Sequence, residues 1–249
     1  MFIKPLSYYL DRFKLSLRSS QCCVCKRDIH LDTPKHEAQF VCTPCQDNIA
    51  MRDIKPVASG AGWQVYAACD FPLKLKQWLY QLKFDHQQAH ALQMTEVLLH
   101  YWYQLLADKT RYADNTAGNT IIIPIPAHAN LQQKPHLASI FQPFASELGA
   151  DYMQNILSWS RHVHPQHTLY GRKSRHENVR DAFHVDTTKL NPNEVHNIVL
   201  VDDLFTTGST MTEALQALKV ALPKANITGL TLCYLPMGLS RGNNCANSN

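Results

Sequence analysis

Two short apolar runs, Ile121–Pro126 and Ile198–Val201, constrain the fold of this chain more than any other feature of its sequence. Neither run alternates apolar with polar residues, and such runs are typical of strands buried on both faces of a parallel sheet. Helical periodicity separates them, most clearly in residues 136–148, which follow Pro135 and end at Gly149. Strands that alternate with helices predict an α/β fold, with a mainly parallel sheet flanked by helices.

Weaker patterns predict the remaining elements. We expect strands at residues 64–69, 156–159 and 227–235, and helices at residues 75–82, 89–107 and 211–218. Thr210 and Glu213 have the spacing of a capping box, which predicts that the last helix begins there.

Composition sets the broad limits. The 249 residues are 45% hydrophobic and 18% charged, which suffices for one core plus a small appendage and excludes a disordered polymer. The net charge of +4 is too small to indicate a nucleic-acid partner by itself. Because the N-terminus lacks the apolar run of a signal peptide and no long uncharged apolar stretch occurs, we expect a cytoplasmic protein without a membrane span.

Four of the eight cysteines form two pairs with the spacing of a metal site, namely Cys22, Cys25, Cys42 and Cys45. Each two-residue gap lets two thiolates of one turn take two corners of a tetrahedron, which predicts a structural zinc ion in a closed four-sulfur site. The alternatives are Cys23, His30 or His36 as a substitute ligand, and a disulfide or redox pair. Few large aliphatic residues surround the pairs, so the metal would form the core of a small N-terminal zinc-binding domain.

Residues 56–62 are rich in small residues and predict a linker. We therefore place the zinc-binding domain at residues 1–60 and the α/β domain at residues 61–240. Residues 241–249 have too little apolar surface to fold, and we expect them to form a flexible tail.

The strongest functional pattern runs from Asp202 to Thr210, hereafter the 202–210 segment. It follows an apolar strand and opens a helix, at the edge where open α/β sheets bind ligands. Backbone N–H groups and the positive end of the helix dipole form a cup for a phosphate, and hydroxyl groups add hydrogen bonds. The residues predicted to bind phosphate are Thr206, Thr207, Gly208, Ser209 and Thr210.

Two carboxylates, Asp202 and Asp203, precede this cup. Like charges repel, so we expect them to face ribose hydroxyls or a hydrated Mg²⁺ rather than the phosphate. The whole segment therefore predicts a ribose 5-phosphate site. In the alternative interpretation the two residues only end the strand, and the Thr-Gly turn only caps the helix.

The motifs, in their order along the chain, resemble the ComF family of competence proteins, and the 202–210 segment resembles the phosphoribosyl pyrophosphate (PRPP) signature of type I phosphoribosyltransferases. The likeness covers nearly all of the chain, through the cysteine pairs and residues 81–84, 123–126, 175–183 and 202–208. It implies a zinc finger joined to a type I phosphoribosyltransferase-like domain, in a protein that acts in DNA uptake during natural transformation. It also implies transfer from PRPP with Mg²⁺ as cofactor.

The resemblance also implies residue roles. Asp202 and Asp203 would contact the ribose hydroxyls and residues 206–210 the 5-phosphate, and Asp203 is the nearest candidate for a catalytic base. The pyrophosphate or acceptor side would contain Lys83, Lys134, Gln166, Arg175 and Asn178. Lys134 lies about where the family usually has Arg-Gly-Phe-Asn-Gln, and would supply a positive charge to pyrophosphate. By composition Lys83 fits a solvated helix surface better than a phosphate contact, and Trp159, at a strand end, is more typical of a core residue than of a base-stacking residue.

A second hypothesis makes the chain a single-stranded DNA-binding module, or the partner of a DNA-uptake helicase, with a regulatory or vestigial PRPP site. Residues 161–180 contain five Lys and Arg against one Glu, and would close over a polyanion, contact a DNA backbone or form a solvated loop. Residues 1–60 carry nine basic and six acidic residues with aromatic residues among them, and single-strand binders combine such groups.

Overall fold

The structure is a computed structural model of the chain, and it describes residues 21–29, 40–85, 88–107, 119–127, 135–161, 163, 172–190 and 195–236. Within these residues the α-helices are α1 (Thr43–Asn48), α2 (Leu73–Phe84), α3 (Ala89–Ala107), α4 (Pro135–Leu148), α5 (Arg172–Val179) and α6 (Ser209–Ala221). The strands are β1 (Ala58–Gly60), β2 (Trp63–Asp70), β3 (Asn119–Pro124), β4 (Asp151–Tyr152), β5 (Leu157–Trp159), β6 (Phe183–Val185), β7 (Val195–Phe205) and β8 (Asn226–Tyr234). No helix of this described part is both long and apolar enough to cross a membrane.

The centre of the described structure is a six-stranded sheet with the order β1-β2-β8-β7-β3-β4. β1 pairs antiparallel with β2, and every other neighbouring pair is parallel. The predicted α/β fold with a mainly parallel sheet is confirmed. Residues 58–60, predicted to lie in a linker, instead form β1 and add an edge strand through a turn at Gly62, whose φ is 78°.

Helices cover both faces of the sheet. Helices α2, α3 and α4 bury their apolar residues on one face, together with Val199 and Val201 of β7. Helix α6 packs on the other face, together with Ile198 and Leu200. Because successive side chains of a strand point to opposite faces, the apolar run of β7 is buried on both sides, as its sequence predicts.

The residues around the cysteines pack in the same core as helices α2, α3 and α4. Cys22, Val41 and Ile49 are fully buried in the same cluster as the apolar residues of α3. The residues that follow α1 are hydrogen-bonded to β2: the Arg52 N–H donates to the Ala68 carbonyl at 2.9 Å, and the Asp70 N–H donates to the Ala50 carbonyl at 2.8 Å. The domain boundary at residue 60 stays a prediction, and the tail at 241–249 lies outside the described residues.

A second, two-stranded antiparallel sheet pairs β5 with β6, and helix α5 and strand β6 both contact α6. The Trp159 ring stacks on Phe183 with their centroids 4.2 Å apart, and its Nε1–H donates to the Ala127 carbonyl at 2.7 Å. These contacts favour a core role for Trp159 over stacking on a base.

Candidate functional site

The crevice of interest lies where β3 and β7 are neighbours. The chain leaves β3 through α4 to reach β4 on one side, and leaves β7 through α6 to reach β8 on the other side. Since α4 and α6 cover opposite faces, the carboxyl ends of β3 and β7 form a topological switch point. Open α/β sheets bind ligands in the crevice at such a point.

The 202–210 segment forms one wall of this crevice. Strand β7 continues to Phe205, beyond the predicted apolar run, so Asp202 and Asp203 lie within its last four residues. Asp202 is the register partner of Thr231 on β8. Residues 206–208 form a short loop, and α6 begins at Ser209. The site predicted from the sequence therefore has one continuous strand-loop-helix scaffold.

Gly208 determines how the loop joins the helix. It is the N-cap of α6 with φ 76°, in the left-handed region that favours glycine, and a Cβ on it would lie 2.4 Å from the Phe205 ring. The predicted capping box is wrong: Thr210 lies inside the helix, and no side chain caps it. The physical reason is that the left-handed Gly208 turns the chain into the helix two residues earlier than the predicted cap at Thr210.

Hydroxyl groups order the loop from within. The Oγ atoms of Thr207 and Ser209 lie 3.1 Å apart, and the Ser209 N–H donates to Thr207 Oγ1 at 3.4 Å. The first N–H groups of a helix have no partner inside the helix, and the dipole places partial positive charge there. The start of α6 thus offers N–H and hydroxyl donors to an anion.

The two carboxylates point to opposite faces of the sheet, because they are consecutive residues of β7. Asp202 follows Ile198 and Leu200 on the α6 side and is half-buried. Asp203 is on the opposite side, with its side chain 9% exposed. It forms an ion pair with Lys83 of α2, and His136 Nε2 of α4 lies 3.3 Å from Asp203 Oδ2.

The other residues predicted for the pyrophosphate or acceptor side have varied outcomes. Lys83 is ion-paired with Asp203, so the interpretation as a merely solvated helical lysine is wrong. Asn178 lies on α5 and is partly buried. Lys134 and Gln166 lie outside the described residues, as does the side chain of Arg175.

Sequence reasoning missed two side chains at this end of the molecule. His136 lies in the first turn of α4, directly after β3 and its loop, which was the available signal for a place in the crevice. Glu213, 8% exposed, was assigned to a capping box, but its Oε2 accepts a hydrogen bond of 3.3 Å from the Asp181 N–H. It therefore links α6 to the turn after α5.

The four predicted metal ligands meet as one cluster. The sulfur atoms of Cys22, Cys25, Cys42 and Cys45 all lie within 4.8 Å of one another. The Cys25 and Cys42 Sγ atoms are 3.7 Å apart, far longer than the roughly 2.05 Å of a disulfide. A tetrahedral ion with Zn–S bonds of about 2.3 Å has sulfur edges of about 3.8 Å. The donor set and its spacing therefore fit a zinc ion.

Backbone groups prepare the cluster for ionised sulfur. Burial raises the pKa of the Cys22 thiol, but backbone N–H groups of Cys42, Cys25 and Val24 outweigh it and lower the pKa to about 7. The Cys42 N–H donates to Cys22 Sγ at 3.4 Å. Burial raises the pKa of the Cys45 thiol, which would favour a neutral group unless a cation is bound. Cys23 lies outside the cluster, and burial raises the pKa of its thiol also.

Comparison with known proteins gives limited matches. No protein-family model matches the chain. The chain is 28% identical over 167 residues to DNA utilization protein YhgH of Escherichia coli (strain K12), and 25% identical over 158 residues to the protein of the same name from Salmonella typhimurium. Each match covers 63% of this chain and 66% of the relative, so the chain spans slightly under two thirds of these relatives.

Among solved structures, the chain is similar to adenine phosphoribosyl transferase from Trypanosoma brucei in complex with AMP, pyrophosphate and ribose-5-phosphate. The identity is 10%, the TM-score is 0.36, and the match covers 78% of this chain and 91% of that one. At this TM-score the likeness supports no conclusion about ligand or reaction.

Proposed function

We propose that this protein is a phosphoribosyltransferase-like protein that binds PRPP with Mg²⁺ and acts in DNA uptake and use. The observation that carries the proposal is the placement of the 202–210 segment at the switch point between β3 and β7, opposite Lys83 and His136. Donors for a phosphate, a carboxylate for a sugar, a lysine and a histidine thus lie at the carboxyl edge of the sheet. The name shared by the curated relatives supports the connection with DNA.

The ligand's parts match the parts of the crevice. The 5-phosphate would lie against the start of α6, where N–H groups and the hydroxyls of Thr207 and Ser209 donate. The ribose hydroxyls would contact Asp202, which is half-buried and therefore reaches solvent. Mg²⁺ prefers oxygen ligands and keeps several waters, so Asp202 would hold it together with ligand oxygens, where it would neutralise charge on the pyrophosphate.

The reaction would be a displacement at the anomeric carbon. The bond from that carbon to the pyrophosphate oxygen breaks, an acceptor nucleophile forms the new bond, and pyrophosphate leaves with the bonding electrons. The protein's part is to position the sugar and to neutralise the developing charge. Asp203 is a poor base in this arrangement, because the ion pair with Lys83 stabilises its charged form.

Titration calorimetry on the zinc-loaded chain tests this proposal. We expect PRPP to bind with Mg²⁺ and to bind at least tenfold more weakly without it. The change Asp202→Asn should weaken binding at least tenfold, because it removes the sugar's carboxylate. Asp85→Asn, on an exposed carboxylate at the end of α2, is the matched control and should bind as the unaltered chain does. Equal binding by Asp202→Asn and the control would refute the assigned site.

A second candidate function is single-stranded DNA binding, and a specific surface favours it. Leu73, Tyr80 and Phe84 on α2 are 70%, 60% and 64% exposed, and the rings of Tyr80 and Phe84 contact each other with centroids 4.8 Å apart. The helix contains three lysines and no acidic residue. Stacking rings among positive charges are how sequence-tolerant single-strand binders work. In this version the PRPP site would be regulatory or vestigial.

Fluorescence anisotropy with a labelled oligo-dT separates this candidate from the first. We expect log K to fall with log salt by roughly 0.7 per neutralised phosphate. The pair Tyr80→Ala and Phe84→Ala should weaken binding by roughly tenfold, since each stacked base contributes about 1–3 kcal/mol. Val220→Ala, a highly exposed apolar residue on α6, is the control. Unchanged affinity in the double variant would refute the α2 face as the DNA-binding surface.

A further inference from the structure

Three side chains from three separate elements meet at the carboxyl edge of the sheet. Lys83 comes from the last turn of α2, His136 from the first turn of α4, and Asp203 from the end of β7. Both partners approach the same oxygen, Asp203 Oδ2. A carboxylate that is shared in this way fixes the positions of two helices relative to the strand.

The three groups differ in their access to the crevice. The side chains of Asp203, His136 and Lys83 are 9%, 12% and 33% exposed. The carboxylate is therefore the inner group, and the ammonium group is the one nearest to solvent. His136 Nε2 is buried and has no hydrogen bond within the described residues, although it lies 3.3 Å from Asp203 Oδ2.

We propose that Asp203 is a positioning residue, and that it holds Lys83 and His136 as the diphosphate-binding side of the crevice. The proposal rests on the proposed function, and it assigns the sugar to Asp202 alone. A consecutive pair of carboxylates is then divided by the pleat of β7, with one on each face.

Charge supports this division of roles. The Lys83 ammonium is the group of the three nearest to solvent, so it can donate to a diphosphate oxygen while Asp203 holds it in place. If Asp203 instead turned to the ribose hydroxyls, the Lys83 ammonium would lose its counter-charge. Asp202 reaches the crevice without breaking this arrangement.

Separate titrations with ribose 5-phosphate and with inorganic pyrophosphate, both without Mg²⁺, test the proposal on the zinc-loaded chain. We expect Asp203→Asn to keep ribose 5-phosphate affinity within about threefold and to weaken pyrophosphate binding at least tenfold. Lys83→Met and His136→Gln should each weaken pyrophosphate binding at least fivefold. Asp202→Asn should show the reverse pattern, and Asp85→Asn should change neither ligand.

A double variant checks that Asp203 acts through Lys83. We expect Asp203→Asn with Lys83→Met to bind pyrophosphate no more weakly than the worse single variant, whereas independent contacts would multiply their losses. If Asp203→Asn does not fold, the selectivity of Lys83→Met and His136→Gln decides the question.

The outcomes distinguish this proposal from the proposed function. Loss of ribose 5-phosphate binding in Asp203→Asn, with both ligands bound by the unaltered chain, would overturn the positioning role alone. An equal loss of both ligands in Lys83→Met and His136→Gln would do the same. If the unaltered chain binds neither ligand, the proposed function fails and the positioning role fails with it.

Discussion

Gly208 shows how one residue links the geometry of the candidate site to the stability of the chain. Its φ of 76° starts α6, and its missing side chain leaves room for the Phe205 ring at the end of β7. The same ring contacts Tyr234 at the end of β8, with centroids 6.0 Å apart. The loop conformation is thus fixed by packing under it as well as by the glycine.

The change Gly208→Ala should lower both stability and ligand binding. We expect a loss of about 1–3 kcal/mol in the free energy of unfolding, because a non-glycine residue in the left-handed region is strained and the new Cβ would displace the Phe205 ring. Ribose 5-phosphate affinity should fall at least tenfold, because the first N–H groups of α6 move with the loop. Urea denaturation and calorimetry measure the two effects.

Gly149→Ala is the control matched in backbone conformation. Gly149 follows α4 with φ 63°, so it carries similar strain when substituted, but it lies at the amino edge beside β4. We expect it to lose stability while keeping ribose 5-phosphate affinity. If the two variants had the same ligand affinity, the loop geometry would have no part in phosphate binding.

At the scale of elements, the sequence predicted the helices and strands that have a clear apolar pattern. The helices predicted at 89–107 and 136–148 match α3 and α4 closely, because many residues repeat the signal, and the apolar run predicted as a strand at 121–126 lies largely within β3. Strands β1, β4 and β6 contain only two or three residues, which is too few for a period. Helix α5 was missed because its sequence, RKSRHENV, lacks an apolar face.

One part of the candidate site could be predicted from the sequence and another part could not. The 202–210 segment is contiguous, so the local order of residues was enough to predict it. The meeting of Lys83, His136 and Asp203 depends on three elements far apart in sequence, and only the topology of the sheet brings them together. The ion pair between Lys83 and Asp203 was therefore beyond any local pattern.

The link between α6 and the α5–β6 turn gives an element-scale prediction. Glu213→Ala removes the acceptor for the Asp181 N–H and leaves a residue with φ 53° without that anchor. We expect faster hydrogen exchange at residues 181–182 and a loss of about 1–3 kcal/mol in stability. Hydrogen exchange measured by NMR, residue by residue, checks the effect.

Two further variants make this prediction specific. Glu213→Gln keeps an oxygen acceptor at the same place and should retain most of the protection at Asp181. Gln216→Ala, on an exposed position of α6, should leave exchange unchanged. Equal exchange in Glu213→Ala and Gln216→Ala would mean that the turn is held by other contacts.

At the scale of the whole molecule, the cysteine cluster is part of the packing of the α/β core. Gln93 Nε2 of α3 donates to the Cys23 carbonyl at 3.1 Å, and the Phe40 N–H donates to His100 Nδ1 at 3.4 Å. Backbone hydrogen bonds continue from Arg52 into β2. The metal ligands are thus connected to the central sheet by hydrogen bonds and by shared apolar contacts.

Zinc removal should therefore destabilise the whole molecule and not a separate finger. We expect chelation of the zinc-loaded chain, or the change Cys45→Ser, to lower Tm by more than 10 °C in a single calorimetric transition, since metal binding and folding are coupled. Cys69→Ala, at a buried cysteine of β2 outside the cluster, is the control and should keep one zinc per chain while losing some packing energy. Differential scanning calorimetry measures the transition temperature, and metal analysis measures the zinc content.

Two transitions, of which only the lower responds to chelation, would instead support an independent zinc domain at residues 1–60. That result would mean that the contacts from Cys23, Phe40 and Arg52 contribute little to the stability of the sheet.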